Sequence, residues 1–424
     1  MTVAVLFACA AMAQTGPTLQ LTFQDAMARA RAVNPQVLSA SLAAQIAHED
    51  AVQAKAALLP TVQGFSQFIY TQPNGTPTGV FVSNDGPRVY NDQAQVHGDI
   101  FAPMKRADYH RALAAEAVAK AKADVAARGI IITVAQNYYG MAAGARKLAN
   151  ARTGLAEAQT FLDITTKLEA GGEAAHVDVV KAQIQVEQRL RDVQDAELAA
   201  DKARIALAVL IFTNFRQDFT VVDDMDRPPV LPDFAEIQGM ASNNNPDIRS
   251  AQAAIRQQNY EISSARAGYL PTLSFDYFFG INANQFAIRD PEGHNLLGSS
   301  AQAQLTVPIW TWGATRSKVR QARLRLQQAR VDLTATQREL LGNLNSFYLE
   351  AQAAAAQLAS LRRSVDLSQD NVRLTVLRYQ AGESTAQEEV DAETGLVQAR
   401  GAYDDGVSRY RIALANLQTL TGIF

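Results

Sequence analysis

With a single cysteine, Cys9, among 424 residues, no intrachain disulfide can staple this fold. Long apolar runs are missing as well. Beyond the opening segment there is no stretch of about 18 apolar residues, so no helix can span a bilayer and only a β-barrel could carry the chain across one. Aromatics are 7% and much of the 48% hydrophobic fraction is alanine, which suits close helix-on-helix packing better than one large globular core. The formal net charge is -3 without clusters of Lys or Arg, so there is no electrostatic footprint for nucleic acid. Catalytic groupings are wanting too. The histidines (His48, His97, His110, His176 and His294) are scattered with no His-x-x-His or His-Glu-x-x-His spacing, and no phosphate-cradling Gly-Lys-Ser/Thr loop exists. The chain is expected to bind no metal or cofactor and to carry out no chemistry of its own.

Proline is absent where it would matter most. None of the 14 prolines lies between Pro103 and Pro228, and none follows Pro308. Interior proline costs a helix about 3 kcal/mol, and these stretches are rich in good helix formers, so both are read as long helices.

What is present is one unit written twice. The block from Asn34-Pro35 to Pro60, ending Leu59-Pro60-Thr61, recurs from Asn245-Pro246 to Pro271, ending Leu270-Pro271-Thr272, at a constant offset of 211 positions. The expected organisation is a signal peptide over 1–13, a first repeat over 14–233 and a second over 234–424, with no clean linker.

Each copy opens with short helices. Thr22 and Asp25 have capping-box spacing ahead of the first, and the second runs from Pro35, with proline in its first turn, to Leu59. The period then changes. Leu273, Phe275, Tyr277, Phe279, Ile281 and Ala283 alternate with polar or small residues, interrupted only by Phe278. Ala301 to Ile309 alternate likewise, as do Ala94, Val96, Gly98 and Ile100, whereas residues 61–70 alternate poorly. Four strands are expected, each about ten residues, the length of a tilted membrane strand. Two half-buried hairpins on a soluble domain are the alternative, but no other sheet or apolar layer is available to cover them.

Long helices follow over about 105–169 and 312–380, each on the order of 95 Å at 1.5 Å per residue. They break at Gly171-Gly172 and Gly382 and return over about 174–213 and 384–421. A seam at alternating spacings of three and four is duplicated: Val186, Arg189, Val193, Ala196, Ala200, Ala203, Leu207 and Leu210 match Leu396, Ala399, Tyr403, Gly406, Tyr410, Ala413, Leu417 and Leu420, 210 positions on.

At the N-terminus, Ala11-Met12-Ala13 has the small-x-small form of a signal-peptidase site, giving Gln14 as the mature start. Leu6-Phe7-Ala8-Cys9 offers a second reading, acylation of Cys9 as in a lipobox. The terminal Phe424 follows a helical period, which argues against a barrel-assembly signal.

The run Arg378-Tyr379 through Gly382, Glu388 and Asp391-Ala392, followed by Leu396, Ala399-Arg400 and Tyr403, resembles the signature of the TolC-like outer-membrane efflux family. Gly172-Glu173 through Asp178 to Gln183 resembles the corresponding first-half segment. Leu21-Thr22, Asn34-Pro35, Leu59-Pro60, Val307-Pro308-Ile309-Trp310 and Trp312-Gly313 fit the remaining landmarks, so the resemblance covers the mature chain. It implies a mainly α fold with membrane β structure. In a homotrimer, four strands per chain would build a shared twelve-stranded barrel, and the helical hairpins a long periplasmic barrel. It further implies a passive exit duct in outer-membrane lipid, joined through a periplasmic adaptor to an inner-membrane pump.

The same resemblance gives Tyr379 as the gate tyrosine, Glu388 and Asp391 as acidic constriction positions, and Asp178 as the first-half aspartate of the closing network. The family's gate arginine falls at Ser384 here, so an arginine pair to Asp178 is not expected. Solvated acids capping a helical turn are the plain alternative for this cluster. Trp310 and Trp312, where strand becomes helix, are read either as an interfacial aromatic pair or as core packing. The rival function is a periplasmic adaptor or scaffold, in which one helical hairpin would be flanked by Gly- and Val-rich β-domains.

Overall fold

The computed structural model describes residues 19–71, 88–227 and 229–421, so Cys9, the Gln14 start and Phe424 lie outside the described residues. In chain order the elements are β1 (Leu19–Leu21), α1 (Phe23–Val33), α2 (Pro35–Ala56), β2 (Thr61–Tyr70), β3 (Arg88–Phe101), α3 (Pro103–Ala170) and α4 (His176–Ile211). There follow β4 (Phe219–Val221), α5 (Phe234–Asn244), α6 (Pro246–Ala267), β5 (Thr272–Ala283), β6 (Leu297–Thr306), α7 (Ala314–Gln380) and α8 (Ala386–Thr421). The second half repeats the first: two short helices, a strand pair, a long helix and a returning one.

Local chemistry explains the boundaries. Thr22 and Asp25 form both arms of the expected capping box on α1. Asn34 caps α2 through its Oδ1, which accepts from the amides of Gln36 and Val37 at 2.8 and 3.2 Å. Beyond Ala56 the chain tightens into a turn, so α2 stops short of Leu59. The last strand ends at Thr306, earlier than the alternation to Ile309 implied, because Pro308 has no amide hydrogen to give a ladder. Strand β2 forms despite its weak alternation, since every one of its residues pairs with β3.

Packing divides the chain into two compact units, each drawing on both halves of the sequence. The first comprises 1–39, 124–245 and 338–424. Its core holds Leu21, Ile131, Val134, Tyr138, Leu207, Ile211 and Met225, all at most 2% exposed. Strands β1 and β4 pair in parallel here, Leu19 opposite Phe219 and Leu21 opposite Val221. Neither was foreseen, because three residues carry no readable period. The duplicated seam is found as read: none of its sixteen residues is exposed, and Leu207, Leu396, Tyr410 and Leu417 are buried.

The second unit comprises 40–123 and 246–337 and contains an antiparallel sheet in the order β2-β3-β5-β6. One face is apolar and open: Val62 is 74% exposed, Phe279 49% and Tyr277 38%. The other carries a polar ladder. Gln63 Nε2 donates to Gln95 Oε1 at 2.5 Å, Gln95 Nε2 to Asp276 Oδ1 at 3.0 Å, and His97 Nδ1 lies 2.7 Å from the same oxygen. Among the described residues, strands β2 and β6 each pair on one side only, leaving two free edges.

Candidate functional site: the hairpin turns

Both hairpins turn on glycine, for the same physical reason. Gly172 has φ 78° and Gly382 φ 75°, left-handed values that cost a side chain-bearing residue roughly 1 kcal/mol. Each turn closes with the pairing of a Schellman motif. The Glu173 amide donates to Leu168 O and the Glu383 amide to Arg378 O, both at 2.8 Å. Gly171 keeps an ordinary conformation and is the last helical link before its partner.

From the second turn, α8 starts under Thr385, whose hydroxyl accepts from the Glu388 amide at 3.3 Å. That fixes Glu388 and Asp391 in the first turns of the helix, where both are exposed. Asp391 Oδ1 accepts from Gln387 Nε2 at 2.9 Å, and Glu388 lies 3.8 Å from Arg378 Nη1. Arg378 also donates to Glu383 O at 3.0 Å, which ties it to the turn. Ser384 donates to Thr375 O at 3.3 Å, so the position matched to the family's arginine braces its own hairpin.

Tyr379 faces inward. It is 6% exposed, and its ring packs on Phe161 of α3 in a small cluster with Ala182 and Ala386. Its hydroxyl faces Thr165 without a well-formed hydrogen bond. Burial raises the phenol's pKa against the Thr165 hydroxyl, and the charges of Asp178 and Glu389 add to the rise. Asp178 is half-buried at the start of α4 and lies 3.4 Å from Lys181, one turn along the same helix. The site therefore brings Tyr379 within the field of Asp178 and leaves Glu388 and Asp391 on the open surface.

Sequence reading missed the charged groups beneath that surface. Glu389 and Glu393 are 0% and 3% exposed, and Arg189, placed in the seam but given no role, reaches Asp192 and Thr394 with its two Nη atoms, each at 2.9 Å. The signal was available. Carried two steps upstream from Leu396, the spacing of the seam falls on Ala392 and Glu389, where the first copy has the buried Ala182 and Val179; Glu393 lies beside that line, next to Ala392.

The tryptophans are resolved differently from core packing within this chain. Trp310 and Trp312 are 73% and 89% exposed, edge to face at 5.8 Å between centroids. Asp290, Glu292 and His294 also come together in the β5–β6 connection, with potential ligand atoms within 4.8 Å of one another. There the His294 ring and Asp290 already satisfy each other at 2.7 Å.

Comparison with known proteins supplies the context for this geometry. The sequence model described as outer membrane efflux protein matches twice, over residues 26–211 and 238–423. The chain is 26% identical over 332 residues to outer membrane protein OprJ of Pseudomonas aeruginosa, spanning 75% of this chain and 66% of OprJ. It is 24% identical to the alkaline protease secretion protein AprF of the same organism, over 46% of this chain and 40% of AprF. The match to these relatives thus spans less than two thirds of their length. A crystal structure of a membrane protein from Pseudomonas aeruginosa shares the fold at a TM-score of 0.80 and 20% identity, covering 94% of this chain and 93% of that one. With both halves matched and the internal duplication reproduced, this chain belongs to the outer membrane efflux protein family.

Proposed function

We propose that the chain is one subunit of a homotrimeric outer-membrane channel, the passive exit duct of a tripartite efflux or type I secretion system. A periplasmic adaptor and an inner-membrane pump are the partners in this reading. Its two repeats divide at residue 233, and it extends from outer-membrane lipid into the periplasm. The observation that carries the reading is the four-stranded sheet with an exposed apolar face and two unpaired edges. Open edges are untenable in lipid, and four strands are about half the smallest membrane barrel, so further copies must complete the ring. Among the described residues no candidate membrane-spanning helix exists, which leaves the sheet as the membrane element. An adaptor would gain nothing from such a sheet.

Trp310 and Trp312 then serve at the lipid–water boundary, where exposed indoles are favoured. Tyr379, Asp178, Glu388 and Asp391 serve at the periplasmic entrance, between the glycine turns. Three copies of Glu388 and Asp391 would put six carboxylates around one mouth and favour cations. Light scattering of detergent-purified protein should give a trimer mass, and planar bilayers should show cation-selective conductance. A monodisperse monomer that is soluble without detergent overturns this function.

A further inference from the structure

Behind the exposed acids of α8 lies a second carboxyl pair that the entrance chemistry does not use. Glu389 and Glu393 sit one turn apart, sealed against helices of both hairpins. From α3 they meet Glu157, which is held by Arg400 at 3.4 Å. From α4 they meet Gln185, which donates to Glu393 Oε2 at 3.3 Å, and Arg189. From α7 comes Tyr379, itself within the field of Asp178. Compensation is poor. Two guanidinium nitrogens of Arg189 are taken by Asp192 and Thr394, its Nε has no partner, and no fixed donor reaches either carboxyl oxygen of Glu389, whose side-chain partner is the Glu393 carboxyl itself.

An ionised carboxylate without donors is strongly disfavoured in such a place, whereas a neutral acid fits it. Burial raises the pKa of both groups; for Glu389 the charge of Glu393 and the hydrogen bond with it add to the rise, whereas for Glu393 the hydrogen bonds from Gln185 and Glu389 oppose it, so the shared proton sits on Glu389. The location gives this a mechanical consequence. Glu389 lies three residues beyond Ala386, which packs with Phe161 and Tyr379 where the two hairpins meet. Any arrangement that parts α8 from α3 and α4 admits water to the pair and lets it ionise.

We propose that Glu389 and Glu393 form a protonation-dependent latch, holding the α7–α8 hairpin against α3 and α4 while protonated and releasing it on ionisation, so that rising pH opens the entrance. This rests on reading the chain as a gated channel. The sign follows from linkage. The packed arrangement holds protons more tightly than the parted one, so its advantage is complete below the ordinary carboxylate range. It is lost as pH climbs through the raised range of the pair. One coupled proton changes the ratio of open to closed by up to about tenfold per pH unit.

The test is open probability in planar bilayers, from about pH 5 to about pH 8, for wild type and for the double variant Glu389→Gln with Glu393→Gln, which cannot ionise. Wild type should open at least about tenfold more often at the upper pH, and the double variant should stay near the wild-type value at low pH. A wild type without that rise, or a double variant that follows wild type, overturns the latch. Absence of conductance at every pH would refute the channel instead, and infrared spectroscopy then decides the latch on its own. Wild type at about pH 7 should show a protonated-carboxyl band that Glu389→Gln removes, or Glu393→Gln should Glu389→Gln fail to assemble. A wild type lacking that band overturns the proposal.

Discussion

Phe161 of α3 and Tyr379 of α7 pack ring against ring, centroids 5.1 Å apart and planes at 57°, joining a first-half helix to a second-half helix beside the glycine turns. Both rings are buried, at 2% and 6% exposure. Truncating a buried phenylalanine costs about 3–5 kcal/mol, and such pairs add about 0.5–1.5 kcal/mol beyond burial. That is enough to shift a hairpin held by a small cluster. Phe161→Ala should raise basal conductance in planar bilayers and quicken tryptic cleavage near Arg378. Tyr379→Phe keeps the ring and drops a hydroxyl that makes at most a poor bond to Thr165, so it should leave both readings near wild type. A Phe161→Ala channel as closed and as resistant as wild type would show that this contact does not hold the hairpin.

Tyr138 provides a test of the short strands. It is 1% exposed, and its hydroxyl lies 3.1 Å from Leu21 O and 2.8 Å from Val222 O, bridging the chain ends of β1 and β4. Tyr138→Phe removes one donor shared by these carbonyls; Leu21 O still accepts from the Val222 amide at 2.9 Å, so the loss falls on the half-buried Val222 O and costs about 1 kcal/mol. Thermal unfolding of the detergent-solubilised protein should move down by about one to two degrees, with conductance unchanged in what remains folded. An unaltered melting curve would mean that the Val222 carbonyl finds another donor.

Much of this fold was legible because its signals are long. The proline-free runs gave α3 and α7 to within two residues at each end, and the spacing of Thr22 and Asp25 gave the first helix its cap. The site was less legible. Glu388 and Asp391 are reached only through the family resemblance, whereas Glu389 looks like surface charge until the seam is extended upstream to it and Glu393 lies off the seam altogether, because composition alone cannot distinguish a buried acid from a solvated one. Strand β6 was misplaced at its end for a related reason: alternation through Ile309 reports side-chain facing, whereas Pro308 governs hydrogen bonding.

Gly280 tests the sheet. A Cβ at this position would lie 2.2 Å from Asp92 O and 2.6 Å from the Cα of Gln93, both backbone atoms of β3. The neighbouring strand cannot yield without breaking the β3–β5 ladder, so Gly280→Ala should reduce assembled trimer in outer-membrane extracts severalfold. Gly298→Ala, on the same ladder row but with open space around its Cβ, should assemble normally. Equal yields of the two variants would exclude close strand approach at Gly280.

The exposed acids of α8 give the sharpest test of the entrance. Glu388 and Asp391 stand three positions apart on the first turns of the helix, on one side of it. Their energetic role in the fold is small: the Glu388 pair with Arg378, at 3.8 Å and half exposed on both sides, belongs to a class worth about 0–1 kcal/mol. Acids at a helix start add about 0.3–1 kcal/mol, part of which asparagine retains through capping. Replacing both with Asn should therefore leave assembly intact while removing two negative charges per chain. In planar bilayers the double variant should lose cation selectivity and its block by multivalent cations. Asn at Asp366 and Asp370, which sit on α7 beside Arg362 and Arg373 at 3.7 and 3.6 Å, should change little. If the assembled Glu388/Asp391 variant keeps wild-type selectivity and block, these carboxylates are solvated caps of a turn, and the ion preference of the duct originates elsewhere.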